Sequence, residues 1–375
     1  MAARRDPGLD WLKGLACLLM IFPHVPVEAE GWSQSLRFFG ALAPVIFFGV
    51  SGATTEFQLR KRTLFGLGLG YLALALWGYL NTWIWHPGRW VADILQGIGL
   101  GVIALALLRR LCPSWCGYLI PLPFALHWLV QSAGWEAPYP IAPFLITPGN
   151  FSLAPWLSFF LLGNWSYRAP TRHLVWAAIA MTAAAAGAWA AGIDMHQKFA
   201  MSPGYFVLAC ALWLSLSLCA RGARDALARC TPLLACGRQS LLFLFAHLFA
   251  GRILLAGWGL EAWPALKWGA AALLTAATMA AVVSAHTRWI ARLRFGERWA
   301  FWFALLAGGI ASAYSGRTVW LYPLGFLFAT HYLELVRALG TSRPPAFIRA
   351  CGRGSLRSFL LDPGIQKSRS SSAAS

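Results

Sequence analysis

Charged side chains are scarce in this chain of 375 residues, and acidic ones are the scarcest. Asp, Glu, Lys and Arg make up only 12% of the residues, about half the share that is usual in soluble domains. Hydrophobic residues make up 58%, and the mean hydropathy is +0.58. This composition excludes an ordinary soluble domain and indicates that a lipid bilayer surrounds most of the chain.

The chain has 13 acidic residues and 31 Lys and Arg, which gives a formal net charge of +18. A nucleic-acid-binding protein would cluster such charge on a soluble face. Here the basic residues lie in short gaps between apolar runs, as they do in the cytoplasmic loops of membrane proteins. We therefore expect no nucleic-acid partner.

Clusters of metal ligands are also lacking. Cys112 and Cys116 flank a loop, and Cys230 and Cys236 are six residues apart, but no His lies at metal-ligand spacing from either pair. We expect reduced thiols and no metal, with a metal site as the weaker alternative.

Apolar runs of roughly 18 to 22 residues recur along the chain, each long enough to cross the ~30 Å hydrocarbon core. The runs are continuous rather than alternating, which favours a helical bundle over a closed barrel. The sequence thus predicts an all-α, polytopic transmembrane bundle. Twelve spans are predicted, at about 9–26, 38–55, 64–85, 93–109, 116–133, 152–167, 173–192, 203–220, 238–258, 263–285, 298–314 and 318–338.

Basic residues alternate between the gaps of this pattern. They fill every second gap, as in Arg60, Lys61 and Arg62, and the gaps between are poor in Lys and Arg. By the positive-inside rule both termini are cytoplasmic, and we expect the cytoplasmic membrane of a bacterium. Residues 1–340 are predicted to form one transmembrane domain, and the basic, Ser-rich residues 341–375 a disordered cytoplasmic tail.

The N-terminal run resembles a signal peptide, because Arg4 and Arg5 precede it. Acidic residues interrupt the charged region, however, and there is no clean small-x-small cleavage site. We expect a retained first helix.

Two polar residues share one face of that helix. Lys13 and His24 are eleven residues apart, which at ~100° per residue is three turns plus about 20°, with an axial separation of ~16 Å. Asp10 precedes Lys13 by one turn and is expected to pair with it. A cation at one end and an imidazole at the other suit a reaction that spans the membrane. The alternative is a Lys13 that only anchors the topology and an interfacial His24.

These residues carry a resemblance to a known family. LDWLKGLACLLMIFPH (9–24) is similar to the opening shared by the transmembrane acyltransferase superfamily, and Lys13-x10-His24 resembles the Arg/Lys-x10-His motif of acyltransferase family 3. Four further segments resemble signatures of the same superfamily in the same order, three of them those of its heparan-α-glucosaminide N-acetyltransferase branch: APVIFFGVSGA (43–53), ADILQGIGLG (92–101), FSLAPWLSFFLLGNW (151–165) and GRQSLLFLFAH (237–247). The family core has ten helices, so this chain carries two more.

The resemblance implies an acyltransferase that moves an acyl group, most simply acetyl, from cytoplasmic acyl-CoA to a hydroxyl or amine of a glycan-like acceptor at the outer face. His24 would be the general base or would carry the acyl group briefly, and imidazole suits either role because it titrates near neutral pH. Lys13, Arg60 and Arg62 would bind the CoA phosphates, although Arg60 and Arg62 could instead only set the topology.

Further polar residues are weaker candidates. Asp93 and Gln96 begin the fourth span and could orient His24 or bind the acceptor, or could simply be a charged helix N-terminus. His247 could line the acyl path, but a hydrogen bond to a neighbouring helix is the simpler interpretation. Asp10 would support Lys13.

A second functional class fits the same layout. Twelve spans with both termini inside are typical of secondary transporters and of lipid or glycan flippases. Few acidic residues lie within the spans and no inverted repeat is evident, which favours the enzyme.

Overall fold

The computed structural model describes residues 6–28, 30–83, 86, 91–134, 142–146, 150–290 and 298–341. Every regular element in these ranges is a helix, so the predicted all-α class is confirmed. The helices are α1 (Pro7–His24), α2 (Trp32–Gly40), α3 (Ala43–Lys61), α4 (Leu64–Thr82), α5 (Ile94–Leu111), α6 (Leu122–Ser132), α7 (Ala142–Leu145), α8 (Leu153–Arg168), α9 (Thr171–Ala190), α10 (Pro203–Gly222), α11 (Arg224–Leu227), α12 (Thr231–Arg238), α13 (Ser240–Phe249), α14 (Pro264–Ala285), α15 (Trp299–Tyr314) and α16 (Leu321–Thr341).

Seven helices in the described ranges are long and apolar enough to cross a membrane, or eight if the bent pair α12 and α13 counts as one span. The predicted count of twelve is therefore not confirmed. Helix α1 is absent from the seven because Asp10, Lys13 and His24 lower its hydropathy, and α15 is apolar but only 16 residues long. The predicted tail lies outside the described residues.

The chain divides into two compact units. Unit 1 is made of Met1–Val50 and Arg168–Thr330, and unit 2 of Ser51–Tyr167 and His331–Ser375. Helices α3 and α16 each contribute to both units.

Unit 1 is organised around α1, which packs backbone to backbone against α12. A Cβ at Gly14 would collide with the carbonyl oxygen of Leu233, and one at Gly237 would collide with the carbonyl oxygen of Asp10. Two glycines, one on each helix, thus permit an approach that larger residues forbid, as small residues do in other membrane bundles. This contact places Arg238 beside the first turns of α1.

We expect Gly237→Ala to destabilise the protein by about 1–3 kcal/mol, because the new methyl group forces two backbones apart. The midpoint of thermal unfolding of the purified chain in detergent measures the effect. Gly269→Ala is the matched control, since a Cβ at Gly269 in α14 meets no atom within 4 Å. Equal midpoints for the two variants would contradict the close contact.

Unit 2 is organised around α3, α4, α5 and α8. Asn164 of α8 donates its side-chain amide to the carbonyl oxygen of Gly52 in α3 at 3.3 Å, and a Cβ at Gly52 would collide with the backbone of Phe160. A buried ion pair joins α3 to α5, with Arg109 Nη2 3.0 Å from Glu56 Oε2. Both side chains are about 5% exposed, so the buried guanidinium of Arg109 depends on Glu56 for compensation.

Candidate active site around a histidine pair

His24, the last residue of α1, lies against His247 of α13. The Nδ1 atom of His24 is 3.0 Å from the Nε2 atom of His247, and the ring centroids are 5.2 Å apart. His247 is buried, with 1% of its surface exposed, and its ring stacks on Phe243. The sequence predicted a hydrogen bond between His247 and a neighbouring helix, and the structure confirms such a bond. That His24 is the partner was not predicted.

A second contact fixes the direction of this hydrogen bond. The Nδ1 atom of His247 is 2.9 Å from the carbonyl oxygen of Phe243, and a carbonyl only accepts. In the neutral ring Nδ1 of His247 therefore carries the hydrogen, and its Nε2 accepts. His24 must then donate from Nδ1, so the lone pair of a neutral His24 is on Nε2. The carbonyl oxygen of Phe243 thus orients His247, and His247 orients His24. Supporting groups orient a catalytic base in the same way.

The end of α1 is held by α14. Trp268 donates from Nε1 to the carbonyl oxygen of Val25 at 3.4 Å and packs edge-on against Phe22, with ring centroids 5.0 Å apart. These contacts hold the residues on both sides of His24. Sequence reasoning missed Trp268, because an aromatic residue near the start of an apolar helix carries no signal of its partner.

An ion pair between α14 and the loop before it supports the same region. Lys267 is buried and donates to Glu261 at 2.5 Å, while the carbonyl oxygen of Glu261 accepts from the backbone N–H of Glu28. The hydrogen bond from Lys267 holds the pKa of Glu261 below its ordinary value. Because the folded pKa is lowered, this contact stabilises the fold at neutral pH, and that contribution is lost as the pH falls through the folded pKa.

The other end of α1 carries a cluster of charges. Asp10 is 2% exposed, and its carboxylate is 3.2 Å from Lys13 Nζ and 3.5 Å from Arg238 Nε. The predicted pair of Asp10 with Lys13 is confirmed, whereas Arg238 was missed because 228 residues separate it from Asp10. One carboxylate thus faces two cations, and the role of Lys13 in binding acyl-CoA stays a prediction.

Unit 2 places Arg60 and Arg62 in different surroundings. Arg60 Nη2 is 3.2 Å from Glu56 Oε1, so its charge is shared with a carboxylate. No carboxylate in the described part of the chain pairs with Arg62. Its guanidinium lies within electrostatic reach of the hydroxyls of Tyr71 and Tyr332. The predicted role of both arginines in binding CoA is untested.

Asp93 and Gln96 form a capping box at the start of α5. Asp93 accepts from the backbone N–H of Ile94 at 2.7 Å, and Gln96 Oε1 accepts from the backbone N–H of Asp93 at 3.2 Å. Gln96 also donates to Thr82 Oγ1 at 2.8 Å. These bonds account for both residues as the start of a helix, and a role in binding the acceptor stays a prediction.

The structure therefore brings together four of the predicted residues in two contacts, His24 with His247 and Asp10 with Lys13, all in unit 1. The other four belong to unit 2. Within the ranges that the structure describes, no group of three or more His, Cys, Asp or Glu is placed to hold a metal ion.

The apolar helices indicate an integral membrane protein, and the histidine pair gives it a site suited to proton transfer. The sequence model of the family described as "Heparan-alpha-glucosaminide N-acetyltransferase, catalytic" matches residues 5–202, more than half of the chain. The chain belongs to this family, which confirms the resemblance. No curated protein matches the chain. The matched range contains His24, while Arg238 and His247 lie beyond it.

Proposed function

We propose that this chain is a membrane acetyltransferase that moves the acetyl group of cytoplasmic acetyl-CoA to a hydroxyl or amine of a glycan-like acceptor at the outer face. The observation that carries the proposal is the oriented pair of His24 and His247 in a chain of this acetyltransferase family.

In the proposed reaction His24 acts through Nε2. This nitrogen takes the proton of the acceptor hydroxyl or amine while the acceptor oxygen or nitrogen attacks the acetyl carbonyl carbon. The C–S bond of the thioester breaks, and the proton passes from His24 to the CoA sulfur. His247 accepts the Nδ1–H of His24 throughout, which keeps Nε2 in the basic tautomer and stabilises the imidazolium that forms.

The same tautomer also suits a second route, in which His24 carries the acetyl group. If Nε2 attacks the acetyl carbon itself, the thioester C–S bond breaks and CoA leaves as the thiolate, so His24 carries the acetyl group as an acyl-imidazole. The acceptor then attacks the acetyl carbon, the C–N bond to His24 breaks, and the acceptor's proton passes to the CoA sulfur. Both routes require an acceptor that holds the Nδ1–H of His24 in place, so the pair supports either one.

The donor substrate needs cations for its phosphates. In unit 2 we propose Arg62 as the phosphate contact, because no described carboxylate shares its charge, and in unit 1 we propose Lys13. Arg60 would contribute less, because Glu56 already holds its guanidinium.

We expect Arg62→Ala to raise the KM for acetyl-CoA about tenfold, the loss of one charge-assisted contact, with little change in kcat. Arg60→Ala is the matched control and should change the KM less. Steady-state acetyl transfer at varied acetyl-CoA concentration measures both. A larger effect of Arg60→Ala would reverse the assignment.

The proposed function is tested in proteoliposomes of the full chain, with radiolabelled acetyl-CoA on one side and amino or hydroxyl sugars on the other. Label should appear on a sugar, and only with the chain present. Failure of every amino and hydroxyl sugar to take up label would refute the proposal, and movement of unmodified sugar across the membrane would support a transporter.

A further inference from the structure

A groove of about 490 Å³ lies between α15 and α16 in unit 1. This volume is within the ~300–1,000 Å³ of sites that hold one small ligand. One wall is the face of α15 formed by Gly308, Ala311, Ser312 and Ser315, and the other is formed by Trp320, Pro323, Leu324 and Leu327. None of these residues belongs to the range that the family model matches, and none takes part in the proposed reaction.

The groove exists because the α15 wall has almost no side-chain volume. A Cβ at Gly308 would only just reach Leu324, at 3.7 Å. Leu324 and Leu327 form part of the opposite wall, so the lining between the two helices is mainly apolar. Such a surface suits a hydrocarbon chain better than a polar ligand.

A cation stands at one end of this apolar surface. Arg317 lies in the turn between α15 and α16, and Ser312 donates to its carbonyl oxygen at 2.7 Å, which fixes the turn. Arg317 is one of the residues that line the groove, and it is exposed. Among residues 6–341 that the structure describes, no carboxylate pairs with it and no acidic residue lines the groove.

Exposed aromatic residues of α15 and of the turn that follows it are typical of a surface that faces lipid. Phe303 is 68% exposed, Tyr314 70% and Trp320 59%. Tyr314 and Trp320 flank the turn of Arg317, and such aromatic residues are common at the level of lipid headgroups. The cation therefore lies where a headgroup would lie, and the apolar lining continues along the helices.

We propose that this groove binds one anionic phospholipid, with its phosphate on Arg317 and one acyl chain along Leu324 and Leu327. A guanidinium matches a phosphate through two parallel hydrogen bonds. A zwitterionic headgroup adds an ammonium group that the Arg317 guanidinium repels, and no described acidic residue lines the groove to offset this. The site is independent of the acetyl-transfer reaction.

The test is native mass spectrometry of the purified, delipidated full chain titrated with phosphatidylglycerol. The wild-type chain is expected to take up one molecule before all others. Arg317→Glu should weaken this first association by tenfold or more, about the value of one charge-assisted contact. Ala311→Phe should weaken it as well, because the ring fills the groove while the charge stays.

Arg37→Glu is the matched control, an exposed arginine of α2 that does not line the groove. It should leave the first association unchanged. Equal losses in Arg37→Glu and Arg317→Glu would overturn the site, as would unchanged binding in Ala311→Phe. Phosphatidylcholine binding as tightly as phosphatidylglycerol would overturn the charge preference, and equal competition by glycerophosphoglycerol, which has no acyl chains, would overturn the lipid.

Discussion

Replacing His24 by alanine is expected to lower acetyl transfer by about 10²- to 10⁴-fold, the usual contribution of a positioned acid–base group. The loss should fall on kcat, with the affinity for acetyl-CoA unchanged, because His24 lies at the opposite end of α1 from Lys13. Initial rates of label transfer in proteoliposomes, together with direct binding of acetyl-CoA, measure the two quantities separately.

His173→Ala is the control for His24→Ala, since His173 is exposed on α9 and should be silent. His247→Ala tests the relay, because it removes the imidazole that accepts from Nδ1 of His24. It should slow the reaction by less than His24→Ala does. An unchanged rate in His247→Ala would show that the pair is structural, and full activity in His24→Ala would end the proposal.

The two routes of transfer can also be separated. Incubation of the wild-type chain with acetyl-CoA and no acceptor should leave an acetyl group on His24 only if His24 is the carrier. Rapid quenching and mass spectrometry of the peptide would detect it. An unmodified peptide favours general-base catalysis.

Glu56→Gln is expected to destabilise the protein by about 3–5 kcal/mol, because it leaves the guanidinium of Arg109 buried without a counter-charge. Arg109 keeps its bond to the carbonyl oxygen of Pro113 at 2.7 Å, but a neutral acceptor does not compensate a full charge. The expected readout is a large fall in the midpoint of thermal unfolding and in the yield of monodisperse chain.

Two further variants define this effect. Arg60→Ala removes only the exposed partner of Glu56 and should cost about 0–1 kcal/mol. The double variant Glu56→Leu, Arg109→Leu removes both charges and should be more stable than Glu56→Gln alone. A stable Glu56→Gln protein would show that water reaches the pair.

The sequence predicted those parts of the site that depend on local spacing. Asp10 and Lys13 are one helical turn apart, so their ion pair follows from the geometry of α1. Most helices lie where the apolar runs predict them, because run length and hydrophobicity decide where a helix crosses lipid. His24 was also predicted from spacing, because its position eleven residues after Lys13 places both side chains on one face of the helix.

Contacts between distant segments could not be predicted. His247 lies 223 residues after His24, and their pairing depends on how α13 bends relative to α12, by 92°. Arg238 reaches Asp10 only because Gly237 allows the backbones to touch. The predicted count of twelve spans is not confirmed. Polar residues lower the hydropathy of α1, and α15 is only 16 residues long.

The carbonyl oxygen of Phe243 ends the chain of hydrogen bonds that begins at His24. A backbone carbonyl has no useful basicity, so a proton that enters this chain has no exit beyond His247. Within the proposed mechanism, the proton lost by the acceptor must therefore leave on CoA. Each turnover then returns both imidazoles to their starting state and carries one proton from the acceptor at the outer face to the thiol of CoA, in the direction opposite to that of the acetyl group.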